Sequence, residues 1–256
     1  MISKRVFRRA IYNASPWLAT GGFFLIWEFG CRLLNVPAFI LPTPSAAIAA
    51  LIQYRDGIWI NASHTLITTL LGFALAVIFG VALGVAVGGW PLLYRALNPL
   101  LIGFNSIPKV ATVPILVLWF GIGTVPAVLT AFLVAFFPIT VNVATGIVTM
   151  EPELRDVLRS LGANRMDILL RVGLPSSMPY FFASLKIAIT LAFVGAVISE
   201  TVASNVGIGY LMMSASATFR VPLVFAALLV IAAMGIVMYS AAALLEWRYA
   251  GWATRR

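Results

Sequence analysis

Apolar residues gather in six long runs, over residues 17–34, 66–89, 97–120, 125–149, 180–198 and 221–245, with short polar stretches between them. At ~1.5 Å of rise per helical residue, each run is about long enough to cross ~30 Å of hydrocarbon. The pattern predicts an all-α integral membrane protein: a basic amino terminus over 1–15, one transmembrane domain over 16–247 and a short tail over 248–256. Lys4, Arg5, Arg8 and Arg9 precede the first run as they would in a signal peptide, but Glu28 and Arg32 interrupt it and further runs follow, so it reads as a retained helix. The third run is the least regular, because Pro99, Pro108, Lys109 and Pro114 fall inside it.

The polar stretch over 150–178 stands apart. It carries four of the seventeen basic residues and four of the eight acidic ones. Pro152 suits a first helical turn, and Glu151 and Glu153 suit the positive end of its dipole. Leu154, Val157, Leu158 and Leu161 then recur at i, i+3, i+4 and i+7, with Arg155 and Arg159 off that stripe. Gly162 fits a left-handed stop, Asn164 fits a cap with Asp167 three residues on, and Ile168, Leu169 and Val172 give a second apolar side that Pro175 is expected to end. Two short helices bent at a glycine result. Periodicity alone leaves two outcomes open: a knob that docks a soluble partner, or two stripes lying on the protein's own membrane surface.

Charge sets the orientation. With six spans both termini share a side, and the basic amino terminus, Arg95, the four arginines of the polar stretch, Arg248, Arg255 and Arg256 all fall on it. The positive-inside rule makes that side cytoplasmic. Trp59, Trp90, Trp119, Trp247 and Trp252 sit near run ends, where an interfacial belt belongs. The composition agrees: 62% hydrophobic and 10% charged residues, with a mean hydropathy of +1.03, are too apolar for a soluble domain of this size. The net charge of +9 lies at run ends, so it speaks for membrane orientation and against nucleic acid. Single Cys31 and His64 residues leave no disulfide and no Cys/His metal site within one chain, and no lysine follows a glycine in a phosphate-binding loop. The chain is not expected to be an enzyme or to bind a cofactor itself.

The interval from Asp156-Val157-Leu158 through Gly162 to Val172 and Leu174-Pro175 resembles the cytoplasmic E-A-A-x₃-G-x₉-I-x-L-P loop of permease subunits of bacterial ABC importers. Asp replaces Glu, Val-Leu replaces Ala-Ala and Val replaces Ile, while every interval is kept. Leu41-Pro42-Thr43-Pro44-Ser45, Trp119-Phe120-Gly121-Ile122-Gly123 and Gly207-Ile208-Gly209-Tyr210 are similar to segments of the nitrate/sulfonate/taurine branch. The resemblance implies an inner-membrane permease with the type I importer fold. It implies a second permease copy, two cytoplasmic ATPase subunits that bind ATP and magnesium, and a periplasmic solute-binding protein. Residues Asp156, Leu158, Leu161, Gly162, Leu174 and Pro175 take the ATPase-coupling role. The implied solute is a small anion, with pyrimidine-type vitamin precursors as the alternative.

Charges inside the runs are candidates for the pathway. Glu28 and Arg32 are spaced i, i+4 and read as a structural pair. Lys186 is expected to snorkel to the headgroups. Lys109, in irregular backbone, reads equally as a pathway cation or a structural one. Glu200 reads as an outer gate or as an interfacial residue. Met212 is retained as a pathway candidate, although with Met213 it fits apolar packing better. An integral-membrane enzyme or a self-contained channel is the rival from another class, and neither gives a reason for the docking stretch.

Overall fold

The structure, a computed structural model, describes residues 2–250, with side chains from Ser15 onward apart from Trp17 and Asn98. Trp252, Arg255 and Arg256 lie outside the described residues, as do the side chains of Lys4, Arg5, Arg8 and Arg9. Among the described residues every regular element is helical. The chain divides into two compact units, Met1–Ile58 with Met212–Leu229, and Trp59–Leu211 with Val230–Arg256.

The first unit holds α1 (Ile2–Leu33), α2 (Pro44–Gln53) and the beginning of α3 (Arg55–Gly89). Thr43 caps α2 by accepting the Ala46 N–H at 3.2 Å, with Pro44 in the first turn. Arg32 Nε donates to Glu28 Oε1 at 2.7 Å, and Glu28 also accepts the Ser45 N–H at 3.0 Å and the Ser45 hydroxyl at 2.8 Å. The i, i+4 pair expected from sequence is therefore a hub that ties α1 to the start of α2.

The second unit contains most of α3, then α4 (Pro91–Ser106), a 3₁₀ turn (Lys109–Thr112), α5 (Val113–Phe120), α6 (Thr124–Val148), α7 (Pro152–Ser160) and α8 (Arg165–Ile168). A π turn (Leu169–Gly173) leads into α9 (Leu174–Ala203), followed by the start of α10 (Ile208–Ala217) and most of α11 (Val221–Ala250). Its core lies where α3, α6 and α9 meet, built from Ala131, Ala135, Ile139 and Val143 against Ala188, Ala192 and Ala196. Lipid is as apolar as leucine, so such helices associate through close packing and not through burial from water. Gly72 shows how close: a methyl group there would lie 2.5 Å from the Ala131 Cβ and 2.6 Å from the Val128 carbonyl oxygen.

Among the described residues four stretches are long and apolar enough to cross a bilayer: Arg55–Gly89, Thr124–Val148, Arg165–Ala217 and Val221–Ala250. The bent pair Pro91–Ser106 and Lys109–Phe120, at 84°, makes a fifth if taken as one span. The expected third run over 97–120 is thus broken. Ile107, held extended before Pro108, leaves the helical region at ψ 125°, and the chain restarts as a 3₁₀ turn.

The structure also changes the reading of Pro175. It does not end a helix. Leu174 donates its N–H to the Leu169 carbonyl, five residues back, so the wide π turn carries the chain past the missing proline donor, and Pro175 sits in the first turn of α9.

Candidate functional site

The polar stretch folds as two short helices about a glycine corner. α7 begins at Pro152, and its carboxyl end closes with two reversed hydrogen bonds: Ala163 N–H to the Leu158 carbonyl at 2.9 Å and Gly162 N–H to the Arg159 carbonyl at 3.0 Å. Gly162 makes this possible with φ +83° and open space around its α-carbon. Asn164 then caps α8, accepting the Asp167 N–H at 2.9 Å while Asp167 Oδ2 accepts the Asn164 N–H at 3.1 Å. Capping on both sides of the corner fixes the angle between the helices.

The faces of α7 meet different surroundings within the chain. Arg155 and Arg159, with Arg165 of α8, line a cleft against Gly88 and Gly89 of α3 and Ile147 of α6. The apolar stripe points elsewhere: Leu154, Val157 and Leu161 are 47%, 56% and 76% exposed. Only Leu158 on that stripe is half-buried. The side chains of Arg155 and Arg159 are themselves 42% and 56% exposed, so within this chain both faces of α7 are left largely open. Asp156 is exposed and lies 3.6 Å from Arg155 and 3.8 Å from Arg159, while Leu174 is half-buried and Pro175 exposed at the start of α9. The six proposed coupling residues therefore belong to one continuous segment that runs into α9.

The other end of α9 is built in the opposite way. Glu200 is 1% exposed. Its Oε2 accepts the Thr65 hydroxyl at 2.7 Å and the Gly209 N–H at 3.2 Å, and its Oε1 accepts the Thr68 hydroxyl at 3.4 Å. Thr65 Oγ1 in turn accepts the Ile208 N–H at 2.8 Å, and Asn61 Oδ1 accepts the Gly207 N–H at 2.8 Å. Three donors that open α10, which no helix can satisfy internally, are thus met by side chains of α3 and α9. Gly207, at φ +115°, leaves no room for a methyl group beside the Glu200 carboxylate. Glu200 is a buried organiser of this loop and not an exposed interfacial group. Asn61 and Thr65 escaped sequence reasoning, because their partners lie more than a hundred residues away and neither belongs to a local motif.

The remaining candidates are separated. Lys109 Nζ donates to the Phe104 carbonyl at 3.1 Å, the Asn105 carbonyl at 2.6 Å and Asn105 Oδ1 at 3.1 Å, so its ammonium closes the carboxyl end of α4. Lys186 forms an ion pair with Glu246 of α11 in place of snorkelling. That partner is the carboxylate that immediately follows the last run. Met212 is half-buried and belongs to the first unit, whereas Lys109 and Glu200 belong to the second. His64 Nε2 lies 3.0 Å from Thr124 Oγ1, and among the described residues no group of His, Cys, Asp and Glu could hold a metal ion.

Residues 76–251 match the family described as "Binding-protein-dependent transport system inner membrane component". The chain belongs to that family. It is 36% identical over 230 residues to a riboflavin transport system permease protein of Chloroflexus aurantiacus, covering 89% of this chain and 86% of that one. It is 30% identical over 240 residues to a formylaminopyrimidine transport permease protein of Halalkalibacterium halodurans (93% and 96% covered). With the taurine transport system permease protein of Escherichia coli it shares 26% identity over 234 residues (89% and 85%). The fold is that of a chain in an inward-facing structure of the MetNI methionine ABC transporter, at a TM-score of 0.54 and 20% identity, covering 74% of this chain and 93% of that one. The chain is accordingly a multi-pass ABC transporter permease of the inner membrane and not an enzyme; its relatives include nitrate, taurine and sulfonate permeases.

Proposed function

We propose that this chain forms the translocation pathway of an ATP-driven importer, as one of two permease copies above two ATPase subunits, with solute delivered by a periplasmic binding protein. α1 serves as an additional span, so that with the bent α4–α5 pair the count is six and both termini are cytoplasmic. ATP and magnesium belong to the ATPase partner. The observation that supports this reading is the capped glycine corner, with the leucine stripe of α7 left uncovered by the chain. Leu158, Leu161 and Asp156 meet the ATPase, Gly162 sets the corner, and Leu174 and Pro175 pass the motion into α9. ATPase closure would then draw two such segments together and shift the spans between inward-open and outward-open arrangements.

The solute is a small molecule, and two readings stand. Nitrate, sulfonate or taurine follows from the branch whose segments the chain resembles. A flavin or pyrimidine-type precursor is the second reading: the three donors of the Lys109 ammonium are already engaged by the Phe104 and Asn105 oxygens, so they are not free to bind an anionic solute. Binding assays on the cognate periplasmic protein separate the two. The docking role is tested by placing a cysteine at Leu161 in intact cells. Protection from a membrane-impermeant maleimide added outside is expected, with labelling in inverted vesicles that the bound ATPase blocks. Labelling from outside would end this reading.

A further inference from the structure

We propose that the cleft beneath the ends of α3 and α6 is a binding site for a phosphate-bearing anion at the membrane boundary. Its volume is about 200 Å³, below the ~300 Å³ at which pockets for drug-sized ligands begin, so it suits a headgroup or small oxyanion and not a whole transported solute. Gly88, Gly89 and Ile147 form its apolar wall, and Arg155, Arg159 and Arg165 its polar one.

The three guanidinium groups are poorly paired. Arg155 and Arg159 share one carboxylate, Asp156, at 3.6 and 3.8 Å, and Arg155 Nε is shielded from solvent without a hydrogen-bond partner. Arg165 has no ion pair among the described residues. Cations beside the carboxyl ends of α3 and α6 would suit the helix dipoles by themselves. None of the three, however, donates to a carbonyl there among the described residues. Three forked donors around a small cleft match phosphate oxygens, which accept bidentate guanidinium contacts. Basic pockets at the cytoplasmic ends of spans are where anionic lipid headgroups lodge. This placement rests on the proposed function, which sets the ends of α3 and α6 at the cytoplasmic lipid boundary.

The test uses the full chain, purified without ATPase, in nanodiscs of equal parts phosphatidylglycerol and phosphatidylcholine, with retained lipid counted by native mass spectrometry. The R155Q/R159Q/R165Q variant is expected to lose at least tenfold in retained phosphatidylglycerol. R171Q, a charge removed from the same segment outside the cleft, is expected to retain it. Should the triple variant fail to fold by thermal unfolding, R165Q alone is expected to show about a threefold loss. A second arm titrates inorganic phosphate into phosphatidylcholine discs: arginine-dependent binding there, without phosphatidylglycerol retention, assigns the same site to free phosphate. Equal retention by wild type and triple variant with no phosphate binding overturns the proposal. So does an equal loss in R171Q. Because no ATPase is present in the lipid measurement, a failed docking reading leaves this readout untouched.

Discussion

The two ends of α9 are built to opposite rules. At Leu174 the helix emerges from a segment that leaves Leu154, Val157 and Leu161 exposed, whose charges are half-satisfied and whose shape rests on backbone caps. At Glu200 it enters a knot in which a buried carboxylate and two α3 side chains take up the free donors of α10. One end has unmet interactions on display; the other has spent them within the chain. Groups held ready for a partner must be stable without one, and the caps around Gly162 provide that. Groups that hold spans together in lipid have no water to fall back on, so they must be closed internally.

The contrast is broken most sharply at Glu200. Replacement by alanine orphans the Gly209 N–H, at about 1–3 kcal/mol, and leaves the Thr65 hydroxyl only the Asn61 carbonyl to donate to, at about 1 kcal/mol more, so thermal unfolding in detergent is expected to show a loss of about 2–4 kcal/mol. Glutamine keeps an acceptor oxygen, and E200Q is expected to recover most of that loss; equal damage from both would show that charge and not acceptance matters. K186M is expected to cost about 1–3 kcal/mol by stranding Glu246, and K186M/E246L less than K186M alone, because a partly buried pair is worth less than the charge it leaves behind. The reverse order would remove the pair from the structural account.

At the exposed end effects on stability shrink while effects on coupling grow. G162A meets no neighbour, and its cost is the left-handed conformation alone, about 1–2 kcal/mol. The unfolding temperature is expected to move by a few degrees at most, and solute-stimulated ATP hydrolysis in the reconstituted importer to fall about tenfold. L161S is expected to leave stability within about 0.5 kcal/mol and to lower stimulated hydrolysis several-fold. A large drop in stability for L161S would mean that this leucine is already buried against its own chain, and the comparison would lose its exposed pole.

Local physics was legible in the sequence, and long-range closure was not. Gly162, the Asn164–Asp167 box and the Glu28–Arg32 pair follow from spacing within five residues, and each appears in the structure. Periodicity found the stripe of α7 but not its direction, since which face turns inward depends on the ends of α3 and α6. Pro175 was misjudged because a π turn can absorb a missing donor, and nothing nearby announces one. Lys109 was open between a pathway and a structural role, because its spacing does not reveal the break at Ile107 that places the carbonyls of Phe104 and Asn105 within its reach. The partners of Glu200 on α3 are set by tertiary packing, which a single sequence does not spell out.

The outward leucines carry a cost before assembly. On the proposed docking role, a freshly inserted copy that has not met its ATPase would present Leu154, Val157 and Leu161, exposed in this chain, to the cytosol, the sort of greasy ridge that chaperones and quality-control proteases seize. Supply of the soluble partner would then limit how many copies survive, so that surplus permease is cleared and the stoichiometry of the finished machine is policed by the same surface that drives it.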